Sequence, residues 1–191
     1  MPRNLPQALH YIIDALASLY IFALLLRIWL PLLRADFRNP LAQAVLRLTS
    51  PLVVPLRRVL PSFGRLDTAT VLVAFVIQYA AILLIMFIYA ALLSNPLPSS
   101  GLIALTSMIK LISLSVNLFV FAIIIRVVLS WISPGLHNPA TALVSTLTEP
   151  VLRPIRRLLP PMGSFDLSPM LTIIGLYALN IVIRGYSPLP I

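Results

Sequence analysis

The chain has 191 residues, of which 60% are hydrophobic and only 10% are charged. A soluble domain of this length could not bury so much apolar surface, so the composition predicts that lipid covers part of it. The net charge of +9 would suggest nucleic-acid binding in a soluble protein, but most of the basic residues lie between long apolar runs, in Arg34 to Arg65 and Arg153 to Arg157. We therefore expect cationic connections held against an anionic membrane surface, and no direct contact with nucleic acid.

The chain contains no cysteine, which excludes disulfides, thiolate catalysis, iron–sulfur clusters and cysteine-based zinc sites. It also lacks the P-loop, the GxSxG and HExxH motifs and the glycine-rich dinucleotide motif. We therefore predict a protein that is not an enzyme and that holds neither a cofactor nor a metal. The apolar stretch that begins near Leu9 is too long for the core of a signal peptide, so we expect it to remain as the first membrane span.

Four apolar stretches are long enough to cross the hydrocarbon core of a bilayer, which takes about 20 helical residues. They run from Leu9 to Leu33, Thr70 to Leu93, Leu102 to Ile132 and Pro169 to Arg184. The third stretch is longer than a bilayer requires, which allows it to tilt, and the fourth is the shortest. The link from Ser94 to Gly101 is short and uncharged, so spans two and three are expected to form a helical hairpin.

The distribution of arginine predicts the orientation of these spans. Arginines crowd the connections after spans one and three, whereas the hairpin link has none. Cytoplasmic connections of membrane proteins carry an excess of basic residues, so both basic connections are predicted to be cytoplasmic. Both chain termini are then expected on the opposite side of the membrane.

A shift of 99 residues superimposes the two halves of the chain without a gap, with Arg27 on Arg126 and Thr49 on Thr148. The other coincidences are Asn39-Pro40 with Asn138-Pro139, Pro51 with Pro150, Pro55 with Pro154, Arg57-Arg58 with Arg156-Arg157, Leu60-Pro61 with Leu159-Pro160, Gly64 with Gly163 and Asp67 with Asp166. So many proline, glycine and arginine matches predict an internal repeat. The expected fold is an all-α membrane protein in which residues 1–98 and 99–191 are tandem two-helix repeats, related by a pseudo-two-fold axis along the membrane normal.

Between the two spans of each repeat, residues 39–61 and 138–160 are predicted to form a pair of short helices. Each helix would begin with a capping residue followed by proline, at Asn39-Pro40, Ser50-Pro51, Asn138-Pro139 and Glu149-Pro150. Pro61 and Pro160 would end the second helix of each pair, and Gly64 and Gly163 would form the next turn. Asp67 and Asp166 are placed to cap the following span.

Each of these segments is predicted to be amphipathic, because its apolar residues recur at spacings of three and four. The apolar positions are Val45, Leu48, Leu52, Leu56 and Val59 in the first copy, and Val144, Leu147, Val151, Ile155 and Leu158 in the second. The arginines fall largely off this stripe, which predicts a helical segment in the cytoplasmic interface; re-entry into the bilayer is the alternative. The candidate lipid- or partner-binding residues are Arg57, Arg58, Arg153, Arg156 and Arg157.

The doubled block Thr-x-Pro-x-x-x-Pro-[Leu/Ile]-Arg-Arg-x-Leu-Pro-x-x-Gly-x-x-Asp, from Thr49 to Asp67 and from Thr148 to Asp166, resembles the YggT family of bacterial and plastid membrane proteins. The resemblance covers almost the whole chain and implies a multi-pass protein of the bacterial inner membrane. Relatives in this family have been linked to osmotic stress tolerance with cation uptake, to cytochrome b6 maturation in plastids, and to nucleoid or division organisation. The resemblance therefore indicates the class of protein more closely than its activity.

Ionisable residues inside the spans are costly and are candidates for function. Arg27 and Arg126 lie near the cytoplasmic ends of their spans, where we expect them to extend towards the headgroups. Asp14 and Lys110 lie in the far halves of spans one and three, so we predict an intramembrane charge pair, with separate solvation of each residue as the alternative. A proton or cation path through Asp14 is a further hypothesis.

Other polar residues in the spans have ordinary explanations. Asn117, Asn180 and Gln78 are expected to make contacts between helices. His10 and His137 are predicted to lie on opposite sides of the membrane, so they cannot jointly bind a metal or haem, and neither is expected to be a ligand.

Two functions are consistent with these features. The first is a non-enzymatic membrane scaffold or assembly factor, whose basic segments contact anionic lipid headgroups or a partner while the spans contact other membrane proteins or a second copy of the chain. The alternative is a component that supports cation (potassium) uptake and osmotic stress tolerance. Four spans leave little room for a pore within one subunit, which favours the scaffold.

Overall fold

The computed structural model describes residues 4–60, 62–132, 138–158 and 166–189. Within these residues the chain forms six helices and no strand. They are α1 (Leu5–Leu32), α2 (Pro40–Arg57), α3 (Thr68–Leu93), α4 (Ser100–Ile132), α5 (Pro139–Leu158) and α6 (Ser168–Gly185). Four of them, α1, α3, α4 and α6, are long and apolar enough to cross a membrane, and their bounds lie within a few residues of the four predicted spans.

The α1 and α3 helices run antiparallel, because their cross-contacts pair opposite ends. The His10 ring and the Tyr89 hydroxyl meet at one end, with Nδ1 3.4 Å from the oxygen, and Arg27 reaches Asp67 at the other. The α4 and α6 helices form a second extensively packed pair. The two pairs meet in an apolar cluster in which α1 and α4 side chains interdigitate, made of Ile21, Leu25, Ile28, Leu114 and Leu118.

The short helices α2 and α5 lie against the ends of these pairs. Val53 of α2 packs with Leu24 of α1 and Val73 of α3 in one buried cluster. Both short helices contribute to a cluster of Leu30, Ala35, Ala42, Ala122, Leu143 and Leu147 that also includes α1 and α4. The α2 and α5 helices also contact each other, through a 2.6 Å hydrogen bond from the Asn39 amide to the Pro139 carbonyl.

The prediction of two short helices in each connection is wrong, because α2 and α5 continue through their internal prolines. Proline removes a backbone donor, which normally ends or kinks a helix. In the turn before Pro51, side chains add hydrogen bonds to the helix backbone: the Thr49 hydroxyl donates to Val45 O over 2.7 Å, and the Ser50 hydroxyl to Leu46 O over 2.5 Å. Ser50 therefore lies inside the helix rather than at its start.

The predicted helix starts at Asn39 and Asn138 are confirmed. The Asn39 side chain accepts from Leu41 N over 2.9 Å, and the Asn138 side chain accepts from Thr141 N over 2.8 Å. Gly64 has φ of +60°, as the predicted turn before α3 requires. The predicted helix ends at Pro61 and Pro160 and the turn at Gly163 lie outside the described residues.

Candidate functional site

Arg27 of α1 is the centre of a buried polar network that joins three helices. Its side chain is 6% exposed, and its Nη1 donates to the Thr49 hydroxyl over 2.8 Å, to the Ser50 hydroxyl over 3.2 Å and to the Leu46 carbonyl over 3.2 Å. All three acceptors belong to α2. The expectation that Arg27 extends towards the lipid headgroups is therefore wrong, since its side chain is buried and its hydrogen bonds join α1 to α2.

Asp67, the residue directly before α3, is the acidic member of this network. Its carboxylate lies 3.7 Å from Arg27 Nε and 3.4 Å from Arg57 Nη2, and the side chain is as buried as that of Arg27. Asp67 occupies the N-cap position of α3 as predicted, but its side chain makes no cap hydrogen bond to the helix. A buried carboxylate needs opposite charge nearby, and here the two arginines supply it.

A second network has the same layout at positions 99 residues further along the chain. Arg126 Nη1 donates to the Thr148 hydroxyl over 2.8 Å and to Glu149 over 3.0 Å. Arg156, the counterpart of Arg57, lies 3.4 Å from Glu149 and 3.0 Å from Asp166. Arg126 therefore contacts the neighbouring short helix as Arg27 does, although its side chain is 24% exposed, and its extension towards the headgroups stays a prediction.

Asp166 does meet the helix that it was predicted to cap. Its Oδ1 accepts from Ser168 N over 2.9 Å, while Oδ2 accepts from Arg156 Nε. Burial disfavours the carboxylate, but the hydrogen bonds from Ser168 and Arg156 and the charge of Arg156 outweigh it and lower the pKa of Asp166 below its ordinary value of 3.8. The ionised form is therefore the one that the folded protein favours.

The five arginines predicted to bind lipid or a partner divide into two groups. Arg57 and Arg156 make the internal ion pairs described above. Arg58, Arg153 and Arg157 are exposed and make no ion pair with the described residues. The apolar side of α2 also remains partly uncovered, since Leu48 is 58% and Leu52 47% exposed. Arg58 directly follows α2, so exposed leucines and an exposed arginine occur together on this segment, as they do in helices that lie in a membrane interface.

Asp14 and Lys110 lie in direct contact, the Lys110 ammonium against the Asp14 carboxylate. The lysine is nearly buried, and the aspartate side chain is one-third exposed, at 33%. This ion pair joins α1 to α4, so the charges neutralise each other within the helical bundle.

The predicted amide contacts are present for two of the three residues. Asn180 of α6 accepts from the Ser113 hydroxyl and donates to the Asn117 side chain, both over 2.6 Å, which joins α6 to α4. Gln78 is buried, but neither polar atom of its side chain has a hydrogen-bond partner in the described part of the chain. Residues 4–60, 62–132, 138–158 and 166–189 contain no cluster of three or more histidines and acids close enough to hold a metal ion, and His137 lies outside them.

Sequence reasoning found the members of the two arginine networks but missed that they belong together. It assigned Arg27 to headgroups and Asp67 to a cap, because each role is the ordinary one for that residue at that place in a helix. The spacing held the missing signal: the arginine, the threonine and the aspartate recur together at one offset of 99 residues, as the partners in a shared contact would.

Comparison with known proteins gives consistent results along the whole chain. The model of the CCB3/YggT family matches residues 6–88 and again residues 105–187. An uncharacterised protein of Pseudomonas aeruginosa is 40% identical over 91% of this chain and 86% of its own length, and the uncharacterised YggT protein of Escherichia coli K12 is 36% identical over 90% and 87%. A chloroplastic YlmG homologue of Arabidopsis thaliana is 33% identical over 41% of this chain and 30% of its own. No solved structure matches the chain.

Proposed function

This chain belongs to the CCB3/YggT family of multi-pass membrane proteins, and from that premise we propose that it is a non-enzymatic membrane scaffold or assembly factor. Its basic helices α2 and α5 contact anionic lipid headgroups or a partner protein at the membrane surface. The spans hold other membrane proteins or a second copy of the chain. The single observation that carries this proposal is that Arg27 and Arg126 each fix a basic helix to a span.

We also propose that the two halves, residues 1–98 and 99–191, are tandem copies of one unit. Two observations support this: the family model matches twice at the offset of the sequence repeat, and the contacts of Arg27 with Thr49 and Arg126 with Thr148 have the same length. In this arrangement α2 and α5 lie on the same side of the membrane. We propose that this side faces the cytoplasm of a bacterial cell and that both termini lie beyond the inner membrane, and the excess of arginine in the two connections supports this orientation.

The fixed position of α2 and α5 matters for a scaffold because a tethered but loose helix would lose its orientation. Each hydrogen bond from an arginine to a threonine in a water-poor environment resists that loss. The exposed arginines Arg58, Arg153 and Arg157 then keep a defined position at the surface. Each basic residue near an anionic leaflet contributes about 1 kcal/mol of attraction.

One observation favours the alternative, a component that supports potassium uptake and osmotic stress tolerance. A cavity of about 400 Å³ between α4 and α6 is bordered by the amides of Asn117 and Asn180, and amide oxygens are cation ligands. The same amides already bond to each other and to Ser113, and Asp14 is paired with Lys110, so these groups are engaged with protein partners. The scaffold therefore has the stronger support.

The proposal is tested by reversing the three exposed arginines in the full chain, as Arg58→Glu, Arg153→Glu and Arg157→Glu. Lipid that copurifies with the protein is then extracted and quantified, and photo-crosslinks formed in intact membranes from the neighbouring exposed positions Val59 and Leu158 are mapped. A control with Asn95→Glu and Ser99→Glu adds negative charge in the hairpin link instead. The proposal predicts that the triple variant loses anionic lipid or crosslinked partners, and that the control keeps them.

Unchanged lipid and unchanged crosslinks in the triple variant would contradict the scaffold. Potassium flux into liposomes, measured with the same wild-type protein, tests the alternative. Flux that disappears in the Asp14→Asn and Lys110→Met double variant, from protein shown to be folded and inserted, would replace the scaffold with a transport function.

A further inference from the structure

A cavity of about 690 Å³ opens beside the first arginine network, at the end of the bundle where α1 finishes and α3 begins. Its wall includes Arg27, Arg34, Arg57, Arg65, Asp67 and Phe37. Four arginines and one aspartate leave the cavity with an excess of three positive charges. Cavities of this volume are typical of small-molecule sites.

The arginines of this cavity are only partly neutralised. Asp67 lies near Arg27 and Arg57, whereas Arg34 and Arg65 are exposed and make no ion pair with the described residues. Arg27 Nε is buried and has no hydrogen-bond partner in the described part of the chain. Guanidinium groups in such a cluster repel one another, so the arrangement gains free energy when an anion enters.

The corresponding positions of the second half are different. Where the first half has Arg34, Arg65 and Ser50, the sequence 99 residues further on has Ser133, Ser164 and Glu149. Glu149 pairs with both Arg126 and Arg156, so two arginines there face two acids, Glu149 and Asp166. Among the described residues, the excess of positive charge beside the arginine network therefore occurs in the first half, although both halves keep the arginine that fixes the short helix.

We infer that the cavity of Arg34, Arg57 and Arg65 is a binding site for a phosphate group. The planar guanidinium fork matches the oxygens of phosphate and binds them with two parallel hydrogen bonds, which an ammonium cannot do. The phosphate is carried by the headgroup of an anionic phospholipid or is free in solution. The inference deepens the proposed function, on which it rests for the interfacial position of α2, but it assigns the binding to different arginines.

The residues at the cavity wall favour a site at a membrane surface. Phe37 is 42% exposed beside the arginines, and Pro31 and Ala35 add further apolar surface. A charged cluster next to apolar side chains suits a ligand with a charged head and an apolar body. The cavity also lies next to α2, whose leucines Leu48 and Leu52 are exposed.

The test uses the purified full chain in a neutral detergent and two probes, phosphatidylglycerol and inorganic phosphate. Native mass spectrometry counts bound phosphatidylglycerol, with zwitterionic phosphatidylcholine as the lipid control, and inorganic phosphate is added as a competitor. The cavity variant is Arg34→Gln with Arg65→Gln, and the matched control is Arg38→Gln with Arg47→Gln, which removes the same charge from exposed positions outside the cavity wall. All four residues are exposed, so both variants are expected to fold, and thermal unfolding verifies this.

The inference predicts that the cavity variant binds phosphatidylglycerol about tenfold more weakly than the wild type, as the loss of about 1.4 kcal/mol would produce, while the control stays within about twofold. If inorganic phosphate displaces phosphatidylglycerol and this displacement depends on Arg34 and Arg65, free phosphate is a ligand of the cavity. If inorganic phosphate does not displace the lipid, the ligand is the lipid headgroup.

Two results would overturn the inference. If the wild type bound neither phosphatidylglycerol nor inorganic phosphate, the cavity would take another occupant, such as an acidic peptide. Equal weakening in the two variants, or weakening in the control alone, would mean that the exposed surface binds the phosphate; in that case the proposed scaffold stands and the cavity site falls. Weakening in the cavity variant alone supports the site even if the charge-reversal experiment fails.

Discussion

Arg27 on α1 donates a 2.8 Å hydrogen bond to the Thr49 hydroxyl on α2, and the side chains at both ends of this bond are buried. The Thr49 hydroxyl in turn donates a hydrogen bond to the Val45 carbonyl of its own helix. A charged donor of α1 thus contacts the turn of α2 that precedes Pro51. Thr49 therefore links the backbone of α2 to a residue of a different helix.

Replacement of Arg27 by Met is expected to destabilise the folded protein by about 3 kcal/mol, because it leaves the Asp67 carboxylate buried beside a single remaining arginine. Thermal unfolding in detergent measures the effect. Arg126→Met should cost less, since the Arg126 side chain is 24% exposed. Arg47→Met on the exposed side of α2 is the control, and a loss for Arg47→Met as large as for Arg27→Met would refute the role of the network.

Thr49→Val keeps the shape of the side chain and removes its hydroxyl, so the Arg27 hydrogen bond is lost. We expect a loss of about 1–2 kcal/mol in the free energy of unfolding, and a similar loss for Thr148→Val. Thr146→Val provides the control, because its hydroxyl bonds to the Ala142 carbonyl of its own helix on an exposed side and to no other helix among the described residues. A double-mutant cycle between Arg27→Met and Thr49→Val should show that the two losses are not additive; additive losses would mean that the contact contributes nothing.

Gln78 and Asn180 are both buried amides, but they differ in their hydrogen bonds. Gln78 has no partner among the described residues, whereas Asn180 bonds to Ser113 and Asn117. Gln78→Leu is therefore expected to raise the stability by about 1 kcal/mol, and Asn180→Leu to lower it by a similar amount. Chemical unfolding of both variants and of the wild type in the same detergent measures these changes in the free energy of unfolding. A destabilising Gln78→Leu would show that the glutamine has a partner outside the described residues.

The contact of Asp14 with Lys110 predicts the outcome of a charge swap. Asp14→Lys or Lys110→Asp alone places two like charges together and should destabilise the protein by about 2 kcal/mol. The double variant restores opposite charges and should recover much of the loss. Thermal unfolding of the three variants decides the matter: a double variant no more stable than the singles would show that the residues are solvated separately.

The lowered pKa of Asp166, which lies on the cytoplasmic side in the proposed topology, predicts that the stability of the folded protein depends on pH. Because its pKa is lowered in the folded protein, its carboxylate stabilises the fold above the ordinary pKa of 3.8, and this stabilisation disappears as the pH falls through the lowered pKa. Asp166→Asn should therefore unfold at a lower temperature than the wild type at pH 6, with the difference shrinking below pH 4. A difference that is constant from pH 6 to pH 3 would contradict this assignment.

The four long helices were predictable from the sequence because their signal is additive over 18 or more apolar residues. The pairing of Asp14 with Lys110 was also accessible, since two opposite charges inside neighbouring spans have few alternatives. The continuation of α2 through Pro51 and Pro55 was not predictable from the sequence. Ser50-Pro51 has the local pattern of a helix start, but in the folded chain the Ser50 hydroxyl bonds to Leu46 O and to Arg27, contacts that the local pattern does not reveal.

The positions of the arginines show the same limit. Arg57 and Arg58 are adjacent in the sequence and both exposed, yet Arg57 lies 3.4 Å from Asp67 and Arg58 makes no ion pair with the described residues. Sequence periodicity gives each residue a direction around its helix, but it does not say which neighbouring helix lies in that direction. The cavity of Arg34 and Arg65 was missed for this reason, because its walls come from α1, α2 and the connections that follow them.

The central claim is that α2 is a basic helix fixed in the membrane interface, with its leucines in lipid and its arginines among the headgroups. Because the chain has no cysteine, single nitroxide labels at Leu52→Cys and Arg58→Cys report on the two sides of this segment without further changes. Collision with oxygen and with a water-soluble nickel chelate, measured by electron paramagnetic resonance in liposomes, compares the two positions. The account predicts high oxygen access at position 52 and high nickel access at position 58. Equal access to the nickel chelate at both positions would show that α2 stands in water, away from the bilayer, and would contradict the account.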